Sequence, residues 1–422
     1  MSFLEQRYAA PFAIFVVSAA VYGAVSGSRL VSASPNNHYS HLAQAWLDGR
    51  LDLGTRPQGT NDWACFDTTM RRSCPPRYDT SAADAPSRYR WFVSFPPLPA
   101  VIVLPWVAIF GVSVWDHILW VLIAGTVPAI FFVFLRRLRR TGVTDRRQFE
   151  DLLVTALLAF GSVFFFVAVQ GSVWFAAHVV GTALVCAYLL FGWGARSPGL
   201  AGLALGLAFL SRPATIFLAP FFMIEAMGRV RARRAESNQS DALSLALPFA
   251  LPLIGCVALA MWHNFARFGD VFEFGHRYLQ IRWRTRIETW GLFDLHYLPR
   301  NLAVFFGSMP TLSTVPPFIR VSPHGLALWL TTPNLLWSFF PARLDRSVVA
   351  LWAAILPTAL CTLLYQNTGF VQFGPRFALD YLPLLLTLVA LSRPRFGPLF
   401  YTCTLFALAL NAFGAIGVTP PP

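Results

Sequence analysis

The stretch "WFVSFPPLPAVIVLPWVAIFG", residues 91–111, is apolar almost end to end, yet it carries four prolines and is followed within a few residues by another apolar run. Whether it crosses a membrane or lies on one decides the topology of everything after it. The chain around it has 422 residues, of which 56% are hydrophobic and 13% charged, with a mean hydropathy of +0.54. A water-soluble domain could not cover so much apolar surface with polar groups. Windows of about 20 apolar residues, the length that crosses a hydrocarbon core of roughly 30 Å, recur at 10–31, 114–135, 151–169, 173–193, 199–228, 243–263, 325–341, 347–366, 380–391 and 397–415. The expectation is an all-α integral membrane protein, one module over residues 1–422.

Charge settles the ambiguous stretch. Every basic residue is arginine and no lysine occurs, which excludes Schiff-base and lysine-nucleophile chemistry. A net charge of +13 could suit nucleic acid, but the arginines fall in short blocks between apolar runs: "RRLRRTGVTDRR" (136–147), "RVRARR" (229–234), "ARLDR" (342–346) and "SRPR" (392–395). Such loops belong on the cytoplasmic side, so no nucleic-acid partner is expected. With Met1 in the cytoplasm and 10–31 crossing outward, a span at 94–111 would leave the 136–147 block outside; without it, the block falls inside. The same parity makes 199–228 two short helices meeting near "SRP" (211–213), where Pro213 breaks the helix and Arg212 reaches the outer face. The result is about eleven spans, a cytoplasmic N-terminus and an external C-terminus. Two large external loops remain, 32–113 and 264–324. The first would hold two interfacial helices, about 37–50, with Tyr39, Leu42 and Trp46 on one face, and about 95–111.

Function should then lie outside. Cys65 and Cys74 bracket the polar "CFDTTMRRSC" and suit a disulfide if that loop meets an oxidising compartment; Cys186, Cys256, Cys361 and Cys403 lie in apolar runs and read as core. There is no P-loop, "HExxH", "GxSxG", "DxD" or metal-type cysteine pair. No cofactor is called for, no metal ligands are assigned, and a need for a divalent ion stays open. The external loops offer carboxylates, Asp48, Asp52, Asp62, Asp67, Asp79 and Asp84, opposite arginines Arg277, Arg282, Arg284 and Arg286. That pairing suits group transfer with a phosphate leaving group: a carboxylate takes the proton of an acceptor hydroxyl while arginines hold the departing phosphate. In "GFVQFGPRFALDYLP" (369–383), Arg376 and Asp380 are spaced i, i+4 at the lip of a span, either as an ion pair fixing the loop or with Asp380 orienting Arg376 on a phosphate. His178 and Glu225, inside apolar runs, are expected to be satisfied by neighbouring helices.

Taken in order, "YSHLAQAWLDGRLDL", "FVSFPPLPAVIVLPWVAIFG", "GLALGLAFLSRPA", "NFARFGDVFEFGHRYL", "GLFDLHYLPRNL", "GLALWLTTPNLL" and "GFVQFGPRFALDYLP" resemble bacterial GT-C glycosyltransferase-like membrane proteins of the mannosyltransferase superfamily. The resemblance covers roughly residues 10–415. It implies a GT-C-like helix bundle in the bacterial inner membrane, with periplasmic juxtamembrane helices in the first loop. The activity implied is transfer of a sugar from a polyprenyl-phosphate donor to an envelope glycan, lipid or protein acceptor at the periplasmic face, among membrane lipids. Family members carry an acidic residue soon after the first span, where this sequence has "SPNNH" (34–38). The base is therefore sought at Asp62 first, Asp67 second, and His38 as a neutral imidazole. Arg212, Arg376 and the cluster Arg277, Arg282, Arg284 and Arg286 would hold the donor phosphate, supported by Asn37, His276 and Asp380. Two other readings are weighed: a transporter or flippase of lipid-linked sugar, which would place polar groups deep in broken helices, and an inactive relative acting as a binding or assembly partner.

Overall fold

The computed structural model describes residues 3–57, 62–75, 85–235, 242–316, 318–393 and 395–417; Asp79 and Asp84 lie outside them. Among the described residues, seven helical stretches are long and apolar enough to cross a bilayer: Ala9–Val31, Asp116–Arg140, Val173–Ala195, Pro213–Arg234, Leu243–Phe268, Arg346–Leu363 and Pro398–Gly417. As helices they satisfy their own backbone, which a lipid environment requires; several turn apolar side chains outward, as at Leu251, Ile254, Leu356 and Leu405, whereas Val173–Ala195 is packed inside the bundle. Phe164, Phe166, Tyr188, Phe221 and Phe222 fill the interior. The chain is a mostly helical, multi-pass membrane protein.

The remaining apolar runs do not form single long helices. The run 151–169 breaks at "FGS" into Gln148–Ala159 and Val163–Ala168, where the Ser162 side chain accepts the Phe164 N–H. The run 325–341 becomes the short helices Leu328–Thr331 and Pro333–Phe339, and 380–391 yields only Leu382–Ala390. The helix Pro198–Phe209 stops before "SRP", and a 3₁₀ turn, Pro213–Leu218, leads into Ala219–Ala235. Pro213 has no N–H to continue the ladder, so the backbone opens beside Arg212.

All four arginine blocks meet at one end of the bundle. Arg146 donates to the carbonyls of Ala390, at 3.2 Å, and Ser392, at 2.7 Å. Ala342 N donates to Leu391 O. Glu225, fully buried, accepts from Gly194 N and Ser347 Oγ, each at 2.8 Å, with Arg346 at 3.7 Å. Arg136 pairs with Asp151 at 2.8 Å. Arg212 stands at the opposite end of the helix that carries Glu225.

The proline-rich stretch forms one helix, Leu98–Phe110. At 1.5 Å per residue it is about 20 Å long, too short to cross. Its first residue donates from N to Leu210 O at 3.0 Å, so it begins at the Arg212 end. The next span, Asp116–Arg140, starts only six residues after Phe110, a reach of at most about 20 Å, and runs toward the arginine end. The stretch therefore stays at the end away from the arginine blocks. Beneath it lies His38–Leu47, whose Tyr39 and Leu42 are buried as expected; its other face, with His38 and Ser40, is buried too.

The first loop also holds a small sheet that the helical reading did not include. Strand β1 (Trp63–Asp67) pairs antiparallel with β2 (Arg72–Ser73) on one side and β3 (Tyr89–Val93) on the other. Trp63 and Cys65 face the packed helices, while Ala64 and Phe66 pack on Phe268. Both faces are buried, so the polar-apolar alternation that marks a strand is absent. A disulfide joins Cys65 to Cys74 across the β1–β2 turn.

Candidate active site

Where the small sheet, the break at Arg212 and the second loop converge, a cavity of about 550 Å³ opens. Its wall includes Asp62, Arg212, His276, Arg277 and Arg376, drawn from four far-apart segments. Asp62 enters β1 with φ at +65°, a left-handed backbone that a non-glycine residue adopts at a cost of order 1 kcal/mol and that clusters at functional sites. Its Oδ2 accepts the Trp174 indole N–H at 2.9 Å. Burial raises the Asp62 carboxyl above its ordinary range, against the opposing pull of the Trp174 hydrogen bond and the Arg376 charge. In its ionised form a carboxylate with raised proton affinity is a better proton acceptor than a solvated one.

The arginines differ in how they are held. Arg212 Nε and Nη2 donate to Asp380 Oδ1 and Oδ2, each at 2.9 Å, a bidentate pair in the interior. His178 Nδ1 lies 3.6 Å from the same carboxylate, beyond hydrogen-bond length. The i, i+4 pairing of Arg376 with Asp380 is not formed. Residues Arg376–Asp380 are a 3₁₀ helix, in which i and i+3 eclipse and i+4 points away, so Asp380 turns to Arg212 instead. Arg376 Nη1 donates to Phe370 O at 2.9 Å and Gln372 Oε1 at 3.2 Å, and among the described residues it makes no ion pair. The Phe377 ring lies 5.3 Å from both guanidinium carbons, a cation–π contact shared by the two. Burial, then the like charge of Arg212, lowers the proton affinity of Arg376. An anion bound there would relieve both.

The other expected residues are scattered by the fold. Asp67 lies outside the cavity wall, its carboxylate taken up by the backbone N–H groups of Thr69 and Met70 and by Arg88, whose Nη2 is 3.1 Å away. Burial raises its affinity for a proton, but Arg88 and those amides outweigh this and hold it below the usual range. His38 is buried under the site, stacked on Trp63 at 3.8 Å. Asn37 Nδ2 donates to Val112 O, away from the cavity. Of the arginine cluster only Arg277 reaches the wall, with Glu273 3.7 Å away. Arg282 points to the exterior, Arg284 binds Glu288 and Cys74 O, and Arg286 reaches Gln366 O at 3.5 Å. Arg277 sits in the turn His276–Tyr278 and Arg282 before the short helix Arg284–Trp290 that carries Arg284 and Arg286, so the fold spreads the four side chains apart. His276 borders the cavity, and burial, with Arg267 and Arg212 nearby, pushes its imidazole down to about 4, so it is neutral at pH 7.

Sequence reasoning passed over Trp174, Glu273, Trp283, Tyr365 and Gln366, which also line the wall, and expected His178 to be satisfied by neighbouring helices, whereas it borders the cavity as well. His178 carried the one usable signal, an ionisable residue inside an apolar run; the aromatics look like any interfacial aromatic. Cys361, expected in the core, also borders the cavity. The arrangement is a proton acceptor and several cations around one half-open space, flanked by aromatic faces. No protein-family model, curated protein or solved structure matches the chain, so its functional reading rests on this cavity.

Proposed function

We propose that the protein is a GT-C type glycosyltransferase of the bacterial inner membrane. It moves a sugar from a polyprenyl-phosphate donor to an envelope glycan, lipid or protein at the periplasmic face. The observation that carries this reading is the placement of Asp62 and Arg376 around a single cavity, the one a half-buried carboxylate with raised proton affinity, the other a cation without an ion-pair partner among the described residues. In the step envisaged, the acceptor hydroxyl oxygen bonds to the anomeric carbon as that carbon's bond to the phosphate oxygen breaks. Asp62 takes the hydroxyl proton; the leaving polyprenyl phosphate keeps the electron pair beside Arg376 and Arg212. One displacement inverts the anomeric centre. The proposed topology counts the broken apolar runs among about eleven crossings, with the arginine end in the cytoplasm.

A second reading has one observation in its favour. Arg212 and Asp380 meet where two apolar runs break, as ion and substrate sites do in secondary transporters. Reconstituted protein, given radiolabelled polyprenyl-phosphate hexoses and an envelope lipid extract, separates the two. Asp62-dependent release of free polyprenyl phosphate supports transfer, whereas movement of intact donor across the vesicle without release supports transport and ends the enzyme reading.

A further inference from the structure

No acidic residue occurs between Asp294 and the arginine block at 342–346, a segment that carries Arg300 and Arg320. Apolar and basic residues without acids are the composition of chain that lies against an anionic membrane surface. Within it, strands β4 (Thr311–Leu312) and β5 (Ile319–Arg320) pair as a hairpin, with Ser313 N donating to Phe318 O at 2.9 Å. The hairpin turns apolar side chains into the open: Leu312 is 78%, Phe318 61% and Val315 57% exposed. Water alone would make this a costly patch.

Its neighbours continue the same face. The preceding helix, Leu298–Gly307, is anchored by Asn301 Nδ2 to the carbonyls of Leu363 and Tyr365, each at 2.7 Å, at the end of the span Arg346–Leu363. It leaves Leu302 and Phe306 exposed, and Trp329 Nε1 donates to Phe306 O at 2.8 Å. The exposed side of that span, Leu356 and Leu360, thus runs on through Leu302, Phe306 and Met309 to the hairpin. Arg320 at the hairpin base supplies charge for phosphate headgroups.

We propose that the hairpin around 311–320 sits in the headgroup–acyl boundary of the leaflet at the cavity end and braces the Arg376 loop from there. The brace is a run of contacts. Ala327 N donates to Ser308 O at 2.8 Å, closing the loop that carries the hairpin, and the chain leaving β5 continues directly into 322–327. That segment lies along 369–374: Leu326 N donates to Phe373 O at 2.8 Å, and Gln372 Nε2 to His324 O at 2.8 Å. Gly325, at φ +83°, touches Gly374 so closely that a Cβ would lie 2.9 Å from its nitrogen. Gln372 Oε1 in turn accepts from Arg376 Nη1. Two hydrogen bonds through Gln372, from His324 O and to Arg376 Nη1, therefore join the segment that follows the hairpin to Arg376.

The test uses full-length protein with Cys361→Ser and Cys403→Ser, reconstituted in phosphatidylethanolamine and phosphatidylglycerol vesicles. An environment-sensitive fluorophore is placed at Val315→Cys or Phe318→Cys, with Met70→Cys on the exposed sheet turn as reference. The expected result is blue-shifted emission and quenching by headgroup-region nitroxide lipids about threefold stronger than at the reference. Emission and iodide quenching equal to the reference would overturn the proposal. So would shielding seen only in native membranes, which assigns the face to a protein partner. In the same vesicles Val315→Asp should speed amide exchange at 369–376 several-fold, and unchanged exchange there would remove the brace.

Discussion

Asp62 and Asp67 stand at the two ends of one short strand approach and look alike in sequence, but their surroundings are opposite. Asp67 is saturated by two backbone amides and Arg88, so its carboxylate has nothing left to offer a ligand. Among the described residues Asp62 has one donor, Trp174, and it lines the cavity. Chemistry is available where hydrogen-bonding capacity is left over, and structure is held where it is used up. The same contrast recurs across the cavity, between Arg212, locked on Asp380, and Arg376, which has no ion-pair partner among the described residues.

The largest effect should fall on Asp62. Asp62→Asn should cut sugar transfer by roughly 10³-fold with little change in melting temperature; full turnover would reverse the comparison. Arg212→Ala strands the buried Asp380 and should cost about 3–5 kcal/mol of stability, partly restored by adding Asp380→Asn, as thermal unfolding in detergent would register. Replacing Cys65 and Cys74 by serine opens a disulfide spanning 9 residues in sequence and should cost about 2.5 kcal/mol. Asp67→Asn should lower stability by about 2 kcal/mol while sparing kcat, and a kcat collapse without unfolding would make Asp67 the base instead. The subtlest test is pH. Activity needs ionised Asp62, so it is lost as pH falls through a value above the ordinary aspartate range. Trp174→Phe removes the donor that lowers that value, so the acid limb of kcat/KM should move to higher pH.

Much of the fold was legible because the membrane makes a strong demand on sequence. Runs such as 243–263 and 397–415 had to be helices, and the arginine blocks had to share an end. The brief helices were harder. Gly161, Ser162 and Pro333 redirect the chain without altering hydropathy, so 151–169 and 325–341 read as unbroken. The sheet was hidden because Trp63–Asp67 is buried on both faces. At the site, Asp62 and Arg212 could be named from position and from the proline break. The partner of Asp380 could not, because i, i+4 spacing presumes an α-helix and the local turn is 3₁₀.

The Cys65–Cys74 bond carries a further consequence, for when the protein matures. Cys65 lies in the strand that Asp62 begins, and its bond to Cys74 can form only where thiols are oxidised. On the proposed topology the chain is therefore finished after its first loop has left the cytoplasm, by an oxidant encountered there. A copy held in a reducing compartment would have its helices but not a fixed strand, and the proposed base would reach its place only on the side of the membrane where the proposed donor is used.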